Sequence, residues 1–167
     1  MRLTKRRQEP LSKPRALVGK PVKDFSLPST GGGTFRLSEA RGKKLVLYFY
    51  PKDNTPGCTL EGADFRDRYK QFAKAGAEVA GVSRDSVKSH EGFKAKMKFP
   101  FALLSDAEEK LCAQFGVIKM KNMYGRKVRG IERSTFVLDA NGVLAREWRG
   151  VKVAGHADEV LRFVQSL

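Results

Sequence analysis

The chain has two cysteines, Cys58 and Cys112, and only the first sits where a thiol gains chemistry. It closes the run Pro51-Lys52-Asp53-Asn54-Thr55-Pro56-Gly57-Cys58. Thr55 suits a helix N-cap, and Pro56 suits the first helical position, where its missing N–H costs nothing. Cys58 then falls near the third residue of a helix, beside unclaimed N–H groups and the positive end of the helix dipole. A free thiol, of pKa about 8.5, is mostly protonated at neutral pH, while helix N-termini and nearby cations lower that value. The thiolate is the nucleophile, so the setting favours attack by sulfur. Against an O–O bond, sulfur attacks one oxygen in line while charge grows on the departing one. The site must then align the peroxide and donate hydrogen bonds to both oxygens. The N–H groups of Gly57 and Cys58, the Thr55 hydroxyl and a guanidinium are the candidate donors. The plainer reading keeps Cys58 as a small buried hydrophobe and Thr55 as a cap only.

The surrounding elements must hold that thiol at the end of a rigid frame. Leu45–Tyr50, LVLYFY, is a continuous apolar and aromatic run, as expected of a strand covered on both faces. Pro51 redirects the chain, and a helix follows from Pro56 to about Ala75, with Phe65, Tyr69 and Phe72 at helical spacing and Gly76 ending it. Glu78–Ser83 is a second buried strand, and Asp85-Ser86 opens a helix to about Lys98. Phe101–Leu104 is a third strand, and Ser105-Asp106-Ala107-Glu108 matches a capping box for a helix through Phe115. Asp24–Pro28 and Thr34–Ser38 form an N-terminal hairpin around Gly31-Gly32-Gly33. This triplet is a turn and not a phosphate loop, since no Gly-Lys-Ser/Thr follows. Ser134–Leu138 and Val143–Trp148 pair across Asn141-Gly142, and Ala157–Gln165 closes the chain as an amphipathic helix. This order predicts an α/β domain, a mixed central sheet flanked by helices, with the thioredoxin-like succession of elements and an added N-terminal β-hairpin.

At 167 residues the chain suits one domain, and 41% hydrophobic content is enough for a real core. The net charge is +15, and residues 1–20 hold seven basic residues and one acidic. We read residues 1–20 as a basic, flexible extension and residues 21–167 as the domain. The extension has no apolar stretch of a signal peptide; its Arg-rich, acid-poor start leaves an organelle transit peptide as the alternative. Basic residues elsewhere are scattered without a helix-turn-helix or zinc-finger pattern, so they read as solvated charge and no obligatory nucleic acid is expected. No run approaches a membrane span. Two cysteines make no disulfide framework and no Cys/His cluster has zinc spacing, which points to a reducing, cytoplasmic compartment and no metal. His90 and His156 stand among polar neighbours and read as surface histidines.

Pro51, Thr55 and Cys58 in the pattern PxxxTxxC resemble the active-site signature of the peroxiredoxins. The longer run NTPGCTLEG is similar to the bacterioferritin-comigratory, or peroxiredoxin Q, subgroup, and the likeness continues through VSRDS, LLSD and RSTFVLD. The resemblance implies an antioxidant peroxidase in which Cys58 is the peroxidatic cysteine, oxidised to a sulfenic acid. It assigns Thr55 to hydrogen-bonding peroxide and thiolate, Pro51 to shielding the sulfur, and Arg133 to lowering the thiol pKa and holding the peroxide. It implies no cofactor, since sulfur supplies the redox chemistry, and it implies a monomer.

The pattern departs from the subgroup at the second cysteine. A resolving cysteine there commonly lies at the position of Ala63, or in the next helix near Lys94, and neither is cysteine. Cys112, beside Leu111 and one turn from Phe115, reads as a structural thiol, with a resolving role as the alternative. The expectation is a one-cysteine mechanism in which an external thiol, thioredoxin or glutaredoxin with glutathione, reduces Cys58. A disulfide carrier is disfavoured because Cys-x-x-Cys would need cysteine where Glu61 stands. A basic binding protein using residues 1–20 would instead show steep salt dependence that survives Cys58→Ser.

Overall fold

The computed structural model of the chain describes residues 9–167. At its centre lies β3 (Lys44–Phe49), whose residues after Lys44 are all buried. Side chains alternate along a strand, so Leu45, Leu47 and Phe49 enter one core cluster while Val46 and Tyr48 enter another. A strand apolar on both faces must be covered on both, and removing each large side chain from water contributes about 2 kcal/mol. β4 (Ala77–Ser83) runs parallel to β3 with Val46 opposite Val79, and β5 (Ala102–Ser105) runs parallel to β4. β8 (Ser134–Leu138) is antiparallel to β3, and β9 (Leu144–Arg149) is antiparallel to β8. The expected N-terminal hairpin, β1 (Ser26–Ser29) and β2 (Gly33–Arg36), adds to the other edge through β5, giving the order β2-β1-β5-β4-β3-β8-β9.

Helices α1 (Pro56–Lys74), α2 (Val87–Met97) and α4 (His156–Ser166) send Phe65, Phe72, Phe93, Val160 and Val164 into the Tyr48 cluster. The short α3 (Lys110–Phe115) covers the opposite face with Leu111, Cys112 and Phe115. Among the described residues, no helix is long and apolar enough to cross a membrane.

Three features differ from expectation. The capping box is not formed: Ser105 ends β5 and its hydroxyl donates to the Asp85 carbonyl at 2.7 Å. The Asp106 carboxylate instead accepts the N–H groups of Leu111 and Cys112 at 3.2 and 2.7 Å, so the helix starts later, at Lys110. Second, β6 (Ile118–Met123) and β7 (Arg126–Ile131) form a separate two-stranded hairpin. Tyr124 and Gly125 turn it with positive φ at both positions, the geometry of a tight hairpin turn. Third, the described part of the 1–20 segment lies on the body. Leu11 N–H donates to the Ile118 carbonyl, Ala16 N–H to Gln114 and Gly19 N–H to Leu144, and Ala16 is buried. Residues 1–8 of the expected extension lie outside the described residues.

Candidate active site

The loop from Pro51 to Thr55 leaves the C-terminal end of β3 and enters α1, as its sequence predicts. Thr55 is extended and holds the N-cap position, with Pro56 first in the helix and Cys58 third. The helical hydrogen-bond ladder starts with Thr59 N–H to the Thr55 carbonyl at 2.9 Å, leaving the N–H groups of Gly57 and Cys58 outside it. The Thr55 hydroxyl does not cap the helix; it donates to the Lys52 carbonyl at 2.8 Å. Pro51 is half-buried at the start of the loop. Cys58 is 2% exposed and packs in the Tyr48 cluster.

Arg133, immediately before β8, reaches this helix end. Its Nη2 donates to Cys58 Sγ at 3.4 Å and its Nη1 donates to Glu61 Oε1 at 2.7 Å. Gly57 permits the approach, because a Cβ there would stand 3.0 Å from Arg133 Nη2. Glu61 lies one helical turn beyond Cys58 and is almost fully buried, and no partner for its Oε2 is found among the described residues. Burial raises its pKa to about 7, with the Arg133 guanidinium acting against that rise. One guanidinium therefore serves a sulfur and a carboxyl together, and such a donor binds a thiolate more strongly than a thiol.

Behind the loop a second polar cluster is buried. Asp53 accepts from the Tyr50 hydroxyl at 2.6 Å and the Ser89 hydroxyl at 2.8 Å, and its Oδ2 lies 2.7 Å from His90 Nδ1. The Asp53 N–H donates to Asp85 Oδ2 at 3.0 Å, and that oxygen also accepts from the Ser83 hydroxyl at 2.6 Å. Asp53, Asp85 and His90 bring three potential ligand atoms together. Each of those atoms already has protein hydrogen-bond partners, which suits a polar anchor better than a metal centre.

The histidines correct the sequence reading. His90 is fully buried on the inward face of α2 near Phe93, although its sequence neighbours Ser89 and Glu91 are polar. His156 opens α4 and is also buried, its Nε2 lying 2.7 Å from Thr135 Oγ1. Burial lowers its pKa to about 4. Cys112 is fully buried in the other core cluster, where burial and then Asp106 raise its thiol pKa. A cleft of about 710 Å3 lined by Arg15, Phe25, Leu111 and Gln114 lies on that far side, so cavity size does not locate the chemistry.

Sequence reasoning brought out Cys58, Thr55, Pro51 and Arg133, and the structure joins Cys58 directly to Arg133. It missed Glu61, Asp53, His90 and the steric role of Gly57. Glu61 was legible as the i+3 neighbour of Cys58, on the same helical face.

The chain matches the AhpC/TSA family over residues 18–147. It is 57% identical over 148 residues to peroxiredoxin Bcp of Xanthomonas campestris, covering 87% of this chain and 92% of that protein. It is 47% identical over 150 residues to peroxiredoxin Bcp of Bacillus subtilis, covering 90% and 96% respectively. A solved structure of the Xanthomonas campestris bacterioferritin comigratory protein, described for its alkyl peroxide reduction activity, superposes with a TM-score of 0.81 at 55% identity. That match covers 85% of this chain and 90% of the other. With a thioredoxin-like fold and its cysteine at the head of α1, the chain belongs to the AhpC/TSA family, as a peroxiredoxin of the bacterioferritin-comigratory or peroxiredoxin Q group.

Proposed function

We propose that this peroxiredoxin reduces hydrogen peroxide and organic hydroperoxides through Cys58, with Arg133, Thr55 and Pro51 completing the site. The observation that carries the reading is the Arg133 guanidinium 3.4 Å from a sulfur in the first turn of α1. The Cys58 thiolate attacks the terminal oxygen of ROOH, the O–O bond breaks, and the departing RO⁻ takes a proton to leave as ROH. Cys58 keeps the transferred hydroxyl as a sulfenic acid. The guanidinium and the free N–H groups of Gly57 and Cys58 offset the charge growing on oxygen. Thr55 Oγ1, whose proton goes to Lys52, keeps lone pairs to accept from the peroxide O–H. Pro51 bounds the loop and limits water. The alkyl peroxide activity of the Xanthomonas campestris relative favours organic hydroperoxides among the substrates.

The sulfenic acid is then reduced by an external thiol, which forms a mixed disulfide with release of water; a second thiol frees Cys58. Thioredoxin, or glutaredoxin with glutathione, supplies those thiols. Ala63 and Lys94 at the usual resolving positions, and the burial of Cys112 in a different cluster from Cys58, support this one-cysteine route. Two free cysteines suit a reducing compartment such as the cytoplasm. The test is peroxide turnover by wild type, Cys58→Ser and Cys112→Ser with each reductant in turn. Cys58→Ser is expected to lose turnover with all of them and Cys112→Ser to keep it; loss of turnover in Cys112→Ser alone refutes the one-cysteine route.

A further inference from the structure

We propose that Asp53 and His90 form a buried carboxylate–imidazolium pair that positions the peroxide-binding loop, residues 51–55, making both of them positioning residues for the peroxide step. This rests on the assignment of Cys58, Thr55 and Pro51 as the peroxide site.

The proton count follows from the partners of the His90 ring. Nε2 lies 3.0 Å from the Leu104 carbonyl, which can only accept, so Nε2 carries a proton. Nδ1 lies 2.7 Å from Asp53 Oδ2 in a site closed to water. Without a second proton between them, two lone pairs would face each other at that distance. Asp53 also accepts the Tyr50 hydroxyl on Oδ1 and the Ser89 hydroxyl on Oδ2, the partners of a carboxylate, so the pairing places the second proton on the ring. The charged and titratable groups facing the pair are Tyr50, just beyond β3, and Tyr48 within it, whose pKa values burial raises well above the usual, and Asp85 from the connection before α2.

The mechanical consequence lies in the loop. Asp53 stands between Pro51 and Thr55, beside Asn54, whose φ of 62° is the left-handed turn conformation that asparagine accepts readily. Asp53 anchors the loop there: its carboxylate is tied to Tyr50, just beyond β3, and to α2, and its N–H to Asp85. Through His90 and the Leu104 carbonyl the loop is also fastened to β5. Loosening the pair shifts the Thr55 hydroxyl relative to the sulfur, while Arg133 and the helix end stay beside Cys58.

The test separates alignment of the peroxide from reactivity of the sulfur. In a Cys112→Ser background, His90→Gln and Asp53→Asn are compared with the parent for the rate with cumene hydroperoxide and the rate of Cys58 alkylation by iodoacetamide. The peroxide rate is expected to fall about 10–100-fold while alkylation stays within about twofold. An unchanged peroxide rate, or an equal fall in both, overturns the proposal. Nitrogen-15 spectra of histidine-labelled wild type decide the pair even if the variants misfold. At pH 7 both His90 ring nitrogens are expected to be protonated and one nitrogen of His156 bare; a bare nitrogen on His90 overturns it. Cys58→Ser, run alongside, keeps the two readings apart: peroxide consumption surviving there refutes the assignment of Cys58, while the nitrogen spectrum still decides the pair.

Discussion

Cys58 and Cys112 are buried on opposite faces of one sheet, Cys58 with Val46 and Tyr48 and Cys112 with Leu47 and Phe49. A bond between them would require one thiol to leave its core and pass the sheet. Intact-mass analysis after one equivalent of peroxide is therefore expected to find one added oxygen, trapped on Cys58 by a sulfenic-acid reagent. A mass loss of two hydrogens with Cys58 and Cys112 in one linked peptide contradicts this.

Arg133 divides its guanidinium between Cys58 and Glu61, which a lysine cannot do because its ammonium is not a planar fork. Arg133→Lys is expected to lower the peroxide rate about 100-fold, the usual cost of one lost donor to a developing oxyanion. Arg133→Met also leaves Glu61 buried without its partner and is expected to destabilise the fold by about 3–5 kcal/mol. Adding Glu61→Gln to Arg133→Met should recover much of that stability in urea unfolding without restoring the peroxide rate.

Gly57 is a steric prediction. A methyl there meets Arg133 Nη2 at 3.0 Å, so the guanidinium must withdraw by a few tenths of an ångström. Gly57→Ala is expected to keep the unfolding midpoint and to slow peroxide reduction about tenfold, read by stopped flow.

Glu61 and His156 make the stability of the fold depend on pH with opposite signs. Glu61 has a raised folded pKa, about 7 against an ordinary 4.5, so the native state holds the extra proton. Its contribution is complete below pH 4.5 and lost as pH rises through 7. His156 has a depressed folded pKa, about 4 against 6.5, so its contribution is complete above pH 6.5 and lost as pH falls toward 4. Each effect is worth about 3 kcal/mol at most, and in wild type they largely offset each other. Glu61→Gln is expected to unmask a loss of stability on acidification from pH 7 to 4, and His156→Gln a loss on going the other way. Equal slopes in both variants, measured by urea unfolding across that range, would contradict the assignment.

The frame of the site was legible because its signals are local. LVLYFY, short and rich in aromatic residues, reads as a covered strand, and Thr55-Pro56 marks a helix start with Cys58 two residues beyond Pro56. The meeting of Arg133 with Cys58 joins residues far apart in sequence and could be expected only from the family resemblance. His90 and His156 were misread because polar sequence neighbours say little about which helical face turns inward; His90 is buried near Phe93, one turn away. The hairpin of β6 and β7 escaped notice because its strands carry lysines and arginines, and its Tyr124-Gly125 turn is not one of the strong hairpin dipeptides. The α3 capping box matched in pattern, yet Ser105 was already committed to Asp85 by its place in β5.

The account turns on sulfur chemistry at Cys58, and single turnover without reductant tests it most directly. Mixed with stoichiometric hydroperoxide, wild type is expected to consume one equivalent and carry one oxygen on Cys58, while Cys58→Ser consumes none above buffer. Peroxide removal by Cys58→Ser at the wild-type rate would contradict it.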